Sequence, residues 1–448
     1  ITPYAPDIVK VFTLPASLIG STDDSARERR SISVVAVPDV TYTVDDTDDE
    51  YLIRVEGGVT VSVDKNSCFV TFRDDNTVLL SENGGLVNTP GQRTVNFLGM
   101  NDDAFYGAGY NGRNTNIGGT SWTMRNKQTG GWNATWSAPH NICIPYYVST
   151  NGYGVLFDDH YFEAVMTPSS SGSSYTTASA NPIAYYFVGG GSMEKAMQNY
   201  ITLTGYQPLP PFWALGYITS RYGYHSQSEA ENVIRRIKDE SQLPLDGIVF
   251  DLYWQGETNA GMGNLEWYTP KFPNPTAMLA DFKSKHVNTV CITEPFFTSD
   301  ASDNYDYLKK QGFLADEKVG DMTWLTNNPV GLIDASNPDA MKWMGEFYKK
   351  HTLAGMAGWW LDLGEPERHF PSNCHHAGGT CNQIHNEFGN LWIEGAYKAL
   401  TEAAPDMRHL LMPRSGTAGM QRFSTFPWTG DIQRSWAGLQ AQVPALAD

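Results

Sequence analysis

The chain has 448 residues, of which 41% are hydrophobic, 12% aromatic and 18% charged, the make-up of a globular protein too long for one core; two or three domains are expected. Its 49 acidic against 31 basic residues leave a formal charge of −18 with no basic run to offset it, a field that repels nucleic acid and anionic membrane surfaces. No run approaches eighteen apolar residues, and the opening Ile1-Thr2-Pro3-Tyr4 lacks a basic-then-apolar signal pattern, so the chain reads as a mature or trimmed soluble protein.

Up to about residue 200, short apolar runs at 31–37, 51–55, 59–63, 68–72, 146–148 and 154–157 are separated by Gly, Asn and Asp, with no 3.6-residue period. This predicts an N-terminal β-sandwich over 1–205, with the Ser-rich 168–174 as an exposed loop. Gly107-Ala108-Gly109-Tyr110-Asn111-Gly112 satisfies G-x-G-x-x-G, yet the following Arg113-Asn114-Thr115-Asn116 does not begin a helix, and a dinucleotide site is rejected. A helix is predicted over 192–203, and Pro208-Leu209-Pro210-Pro211 then punctuates the chain.

Beyond that point apolar strands at 212–219, 247–253, 289–297, 358–363, 409–412 and 423–428 alternate with helical patterns at 228–240, 276–285, 339–351 and 388–403. Continuous apolar strands alternating with helices predict a parallel sheet, and over 206–448 a (β/α)8 TIM-type barrel with an insertion near 298–337. Six strands are counted where a closed barrel of this type needs eight, so the barrel is expected to be incomplete.

Several of these strands stop at an acid or at an arginine. Trp359-Trp360-Leu361 ends at Asp362, Phe426-Pro427-Trp428 is followed by Thr429-Gly430-Asp431, Gly247-Ile248-Val249-Phe250 ends at Asp251, and Ile292-Thr293 ends at Glu294. Such acids are also common turn and cap residues, but a parallel barrel carries its catalytic groups at the carboxyl ends of its strands. Two carboxylates suffice to cleave a glycosidic bond with retention: one ionised group attacks the anomeric carbon and one protonated group feeds the leaving oxygen, about 5–5.5 Å apart. Proximity raises the pKa of the second acid. Arg414 follows Leu410-Leu411-Met412-Pro413, Arg422 lies in the same loop, and Trp360 shares a strand face with Asp362. Trp254, Tyr222 and Tyr253 are candidate cleft walls or ordinary packing.

Taken in order, Leu209-Pro210-Pro211-Phe212-Trp213-Ala214-Leu215-Gly216-Tyr217, Ser220-Arg221-Tyr222-Gly223-Tyr224, Trp360-Leu361-Asp362-Leu363-Gly364-Glu365-Pro366, Arg414-Ser415-Gly416 and Trp428-Thr429-Gly430-Asp431 resemble glycoside hydrolase family 31, over most of the chain from about Tyr106 onward. The resemblance implies a retaining enzyme with Asp362 as nucleophile and Asp431 as acid/base. It further implies that Asp251 and Arg414 bind the sugar, with Trp360, Arg422, Glu294 and Trp254 as further substrate-binding candidates and Asn111 and Arg113 as weaker ones for the leaving sugar. The implied substrate is an α-glucan or α-gluco-oligosaccharide of maltose or isomaltose type, and the wording is closest to bacterial transglucosylases and dextran-active members. Alternatives are an α-xylosidase, an α-galactosidase, an α-glucan lyase, or a non-catalytic carbohydrate-binding fragment. No cofactor and no metal are expected. The family's catalytic domain continues through two more strand-helix units and C-terminal β domains, so a missing C-terminal part is the expected partner.

Of five cysteines, Cys68, Cys143 and Cys291 lie in apolar runs and read as small buried hydrophobes. Cys374 and Cys381 flank the polar loop His375-His376-Ala377-Gly378-Gly379-Thr380 and are expected to pair as a disulfide. Free thiols, or a zinc site using His375, His376 or His385, are the alternatives, although the spacing fits no familiar zinc knuckle. A disulfide would support a secreted or periplasmic location.

Overall fold

The alternating runs of the first two hundred residues form two antiparallel sheets in the computed structural model, which describes residues 1–13, 30–99, 104–112, 114–128, 141–179, 182–369 and 373–447. One sheet has the order Thr2–Ala5, Ile8–Thr13, Ile183–Val188, Tyr153–Phe157, Cys143–Ser149, Phe105–Gly109. The other has nine strands between Trp122–Met124 at one edge and Tyr42–Asp46 at the other. Val9, Val11, Tyr185 and Phe187 point from the first sheet into a core shared with Phe72 and Val95, where Phe72 stacks on Phe187 at 4.3 Å. Their strand neighbours Ile8, Tyr186 and Val188 face the opposite way, onto Ala196, Tyr200 and Leu203 of the helix Met193–Thr204. Both faces of this sheet are therefore dry, which is why Ile183–Val188 is buried at every position instead of alternating with polar residues.

The expected strand over 31–37 does not form. The segment has no regular structure, with bends at Ile32 and Ser33, and Val35 and Ala36 donate their N–H groups to Leu203 O at the end of the helix, so a helix-terminal carbonyl takes bonds a strand partner would have taken. Cys68 is likewise not a core residue: it is exposed, with φ of 61°, in the turn before Val70–Asp74. Cys143 and Cys291 are buried, and burial pushes the Cys143 thiol up to about 12. The glycine-rich run lies in and just after the strand Phe105–Gly109, paired antiparallel with Cys143–Ser149; Gly107 has φ of 123°, and a Cβ there would stand 2.6 Å from Tyr146 O.

From residue 207 onward the grammar changes to a five-stranded parallel sheet in chain order: Ile218–Thr219, Gly247–Phe250, Asn288–Thr293, Gly358–Leu361, Leu411–Pro413. Helices Gln227–Ile234, Pro275–Ser284, Pro338–Leu353 and Phe388–Ala403 lie between successive strands. This is the succession of a TIM-type barrel domain. Two expected strands are shorter or looser than the sequence suggested. Phe212–Leu215 turns as a 3-10 helix after Pro210-Pro211, leaving a strand only at Ile218–Thr219. Residues 424–428 run beside Leu411–Pro413 without becoming a regular strand, held by Phe426 N to Leu411 O at 2.7 Å and Trp428 N to Pro413 O at 2.9 Å. Val249, Val290 and Leu410 pack with Ile218, Trp360, Met412 and Phe426 as one apolar cluster. The interval expected as an insertion holds the helix Asn304–Gln311 and most of a three-stranded antiparallel sheet, Phe296–Thr298, Val330–Ile333 and Leu314–Asp316.

The chain forms two compact units that do not follow a single cut. One comprises Ile1–Tyr206 with Thr417–Gly419 and Thr429–Asp448; the other comprises Gln207–Gly416 with Met420–Trp428.

Candidate active site

Parallel register brings the strand-ending residues of the second unit to one rim. Asp362 N donates to Thr293 O at 3.0 Å, and Arg414 N donates to Leu361 O at 3.0 Å, so Glu294, Asp362 and Arg414 follow three neighbouring strands at the same level. Asp251 follows the next strand along, buried, and its carboxylate accepts from Leu252 N at 2.7 Å.

Arg414 organises this rim. Its guanidinium is 2% exposed, with NH1 3.0 Å from Asp362 Oδ1, Nε 2.7 Å from Glu365 Oε1, and NH2 at 2.7 Å from Glu365 Oε2 and 2.8 Å from Glu367 Oε2. One fixed fork thus serves three carboxylates. Burial by itself would lower the arginine's pKa, but Asp362, Glu365 and Glu367 outweigh it and hold the group charged, well above its ordinary range. Arg414, expected to bind the sugar, turns its fork to the carboxylates of Asp362, Glu365 and Glu367 and ties the rim together. Glu365 and Glu367 join the site as partners of Arg414, and their signal in the sequence is two further acids within five residues of Asp362.

Asp362 itself is half-buried and its Oδ1 also accepts from Leu363 N at 2.8 Å. Leu363 has φ of 60°, a left-handed conformation that turns the chain sharply after the strand so that Glu365 folds back to the guanidinium. Glu294 is 1% exposed; burial first, then the charges of Asp362 and Asp251, push its pKa well above the carboxylate range. It receives Gln255 Nε2 at 3.0 Å on one oxygen, while the other is buried with no hydrogen-bond partner among the described residues. Trp360 lies on the sheet edge-on to Trp428 at 5.0 Å, and its indole N–H is also buried without a partner among the described residues.

The other expected contacts are placed differently. Trp254 is wholly inside the core, donating to Ile292 O at 2.8 Å and packed edge-on against Trp267 and Trp359, so it cannot be a cleft wall. Tyr222 is exposed and meets Tyr253 edge-on at 5.9 Å, beyond the ends of the first two strands. Arg422 is half-buried in the turn Met420–Phe423 with its guanidinium 4.4 Å from the Phe423 ring. Asn111 is fully buried, and Arg113 falls outside the described residues.

Asp431 belongs to the first unit and its side chain is exposed. Its backbone is clamped by one amide: Gln128 Oε1 accepts from Asp431 N and Gln128 Nε2 donates to Asp431 O, both at 3.3 Å, while Asn141 Nδ2 orients Gln128 at 2.7 Å. Gly430 has φ of 81°, and a Cβ there would come within 2.7 Å of Asn141 Nδ2. Nothing in the sequence linked residues three hundred positions apart; only Gly430 hinted at a close approach.

A β-sandwich followed by a parallel-sheet domain with carboxylates gathered at its strand ends is the architecture of a glycoside hydrolase with a TIM-type barrel. The profile of the glycosyl hydrolases family 31 TIM-barrel domain matches residues 207–448, and that of the glycosyl hydrolase 31 N-terminal galactose mutarotase-like domain matches residues 1–161. The chain belongs to glycosyl hydrolase family 31. It is 28% identical to alpha-glucosidase 2 of Bacillus thermoamyloliquefaciens, over 98% of this chain and 57% of that protein. It is 27% identical to an alpha-xylosidase of Saccharolobus solfataricus, over 68% of this chain and 40% of that one. The structure of a Flavobacterium johnsoniae GH31 dextranase complexed with isomaltotriose superposes with a TM-score of 0.87 at 26% identity, over 98% of this chain and 55% of the dextranase. The chain therefore spans about half the length of the relatives it matches.

Proposed function

We propose that this chain is the catalytic portion of a retaining α-glycosidase that cleaves or transfers α-glucosyl units of oligosaccharides or α-glucans. The observation that carries the reading is the Arg414 network: it fixes one Asp362 oxygen between Arg414 NH1 and Leu363 N at the mouth of a parallel sheet. In the first step the Asp362 carboxylate attacks the anomeric carbon, the bond to the leaving oxygen breaks, and that oxygen takes a proton from Asp431. In the second, water or a sugar hydroxyl attacks the same carbon, gives its proton to Asp431, and releases Asp362. Asp251 binds hydroxyls of the glucosyl unit. The unpartnered Trp360 N–H and Glu294 Oε1 support a polar ligand here, since buried polar atoms without partners are otherwise rare. The alpha-glucosidase and dextranase relatives support glucose as the sugar and malto- or isomalto-oligosaccharides as substrates.

The test is to trap the intermediate with 5-fluoro-α-glucosyl fluoride and to sequence the labelled peptide, then to analyse products from both oligosaccharide series. Label on Asp362 and release of α-configured products are expected. Label on Glu365 or Glu367, or turnover only of xylosides, would overturn the assignment of nucleophile or of sugar respectively.

A further inference from the structure

We propose that His369, Cys374, His376 and Cys381 form a four-ligand site for one zinc ion in the reduced protein. The structure joins the two sulfurs as a disulfide with Cα atoms 6.1 Å apart, yet it also gathers two imidazoles around them. Ligand atoms of all four side chains lie within 4.8 Å of one another. His369 Nε2 and His376 Nε2 are 2.8 Å apart, and Cys374 Sγ is 3.2 Å from His369 Nε2. A disulfide has no use for two imidazoles aimed at it. A tetrahedral zinc site does: bonds of about 2.3 Å to sulfur and about 2.0–2.1 Å to nitrogen require four ligand atoms crowded on this scale.

A second observation concerns the far side of each ring. His376, whose side chain is fully buried, sets Nδ1 2.8 Å from Asp334 Oδ1, and an ionised carboxylate only accepts. The ring therefore carries its proton on Nδ1 and presents a lone pair at Nε2. Without the ion, His369 Nε2 donates to the bare His376 Nε2 at 2.8 Å, and its Nδ1 lies 2.9 Å from His385 Nδ1; moving the His369 proton to Nδ1, where His385 can take the hydrogen bond, bares Nε2 as the second lone pair for zinc. An outward N–H on a carboxylate or similar acceptor and an inward bare nitrogen is the habit of metal-bound histidine. Asp334 also receives Ala377 N at 2.7 Å, and His375 N donates to Ala315 O at 2.7 Å, so the loop is held in place around the four side chains. His375 and His385, considered from the sequence, are not in the ligand set; His369 is.

Binding displaces one proton from each thiol, and zinc with two thiolates and two neutral imidazoles has no net charge, which suits a buried position. Four protein ligands leave no open coordination position, so the ion is structural: it ties the loop that follows Glu365 and Glu367 to the segment bearing Asp334. The sulfurs cannot be bonded to each other and to the ion at once, because two thiolates on a tetrahedral zinc stand about 3.8 Å apart.

The protein purified under thiol reductant without chelator should contain one zinc per chain by elemental analysis. Cobalt(II) in its place should give tetrahedral visible bands with a thiolate charge-transfer band in the near ultraviolet. Asp334→Asn, which leaves both cysteines intact, should weaken zinc binding about 10- to 100-fold. Cys381→Ser and His376→Ala should abolish the stoichiometric metal. Reduced wild-type protein that takes up no zinc or cobalt would overturn the site, as would metal uptake unaffected by Asp334→Asn and His376→Ala.

Discussion

Arg414 and Glu294 show opposite ways of burying charge. The arginine remains ionised because three carboxylates surround it, and removing it would take away the bidentate ion pair of Glu365, which is 0% exposed. Arg414→Met should therefore destabilise the protein by about 3–5 kcal/mol in urea unfolding; a midpoint near wild type would mean that Glu365 finds a proton or another partner. Among the described residues no cation faces Glu294, so burial and its acidic neighbours Asp362 and Asp251 favour its protonated form. The sign follows from proton binding. Its pKa is raised on folding, so as pH rises above about 4.5, the ordinary value, the unfolded chain loses a proton that the folded chain keeps, and stability falls until the buried group itself titrates. Glu294→Gln mimics the protonated acid without this slope. Its stability relative to wild type should rise between pH 4 and pH 7, and a difference constant across that range would refute a protonated Glu294.

The turn Trp428-Thr429-Gly430-Asp431 makes a prediction at the level of the element. Its path depends on Gly430 in a left-handed conformation against Gln128 and Asn141, so Gly430→Ala should displace the Asp431 backbone while leaving the Arg414 network intact. With Asp431 as the proposed proton donor, the expected signature is a fall in kcat that is steep for poor leaving groups and mild for an aryl glucoside, the same pattern expected of Asp431→Ala, because both would impair proton donation. Equal losses on both substrates would separate the turn from that role. The helix Met193–Thr204 was legible from its sequence, with Ser192 capping Lys195 N, whereas the segment 31–37 misled because Val34 and Ala36 pack against that helix's cluster while Val35 and Val37 stay exposed, and no strand pairs with it.

Across the whole molecule the first unit takes in two segments from late in the chain. Thr417–Gly419 belongs with the sandwich, where Thr417 Oγ1 donates to Cys143 O at 2.7 Å and Ala418 joins the cluster of Ile8, Tyr146 and Leu156. A polypeptide of residues 1–206 alone should expose that cluster, bind a hydrophobic dye and be cut by protease faster than the same residues within the chain; equal resistance would show that the later segments contribute nothing. The expectation of a secreted or periplasmic protein rested on a disulfide, and two sulfurs on zinc would withdraw that support.

The sequence by itself determined the sandwich, the parallel sheet, and Asp251, Glu294, Asp362 and Arg414 as strand-end residues, because period-two and continuous apolar patterns record burial and a strand's end is marked by the first charged group after it. What the tertiary structure alone decided were the partners of those groups. That Arg414 faces Glu365 and Glu367, that Trp254 is core, that Gln128 holds Asp431, and that His369 joins Cys374, His376 and Cys381 all depend on side chains meeting across loops of variable length. Local pattern carries information about which face is dry; only the closed fold determines which polar atoms come within reach of one another.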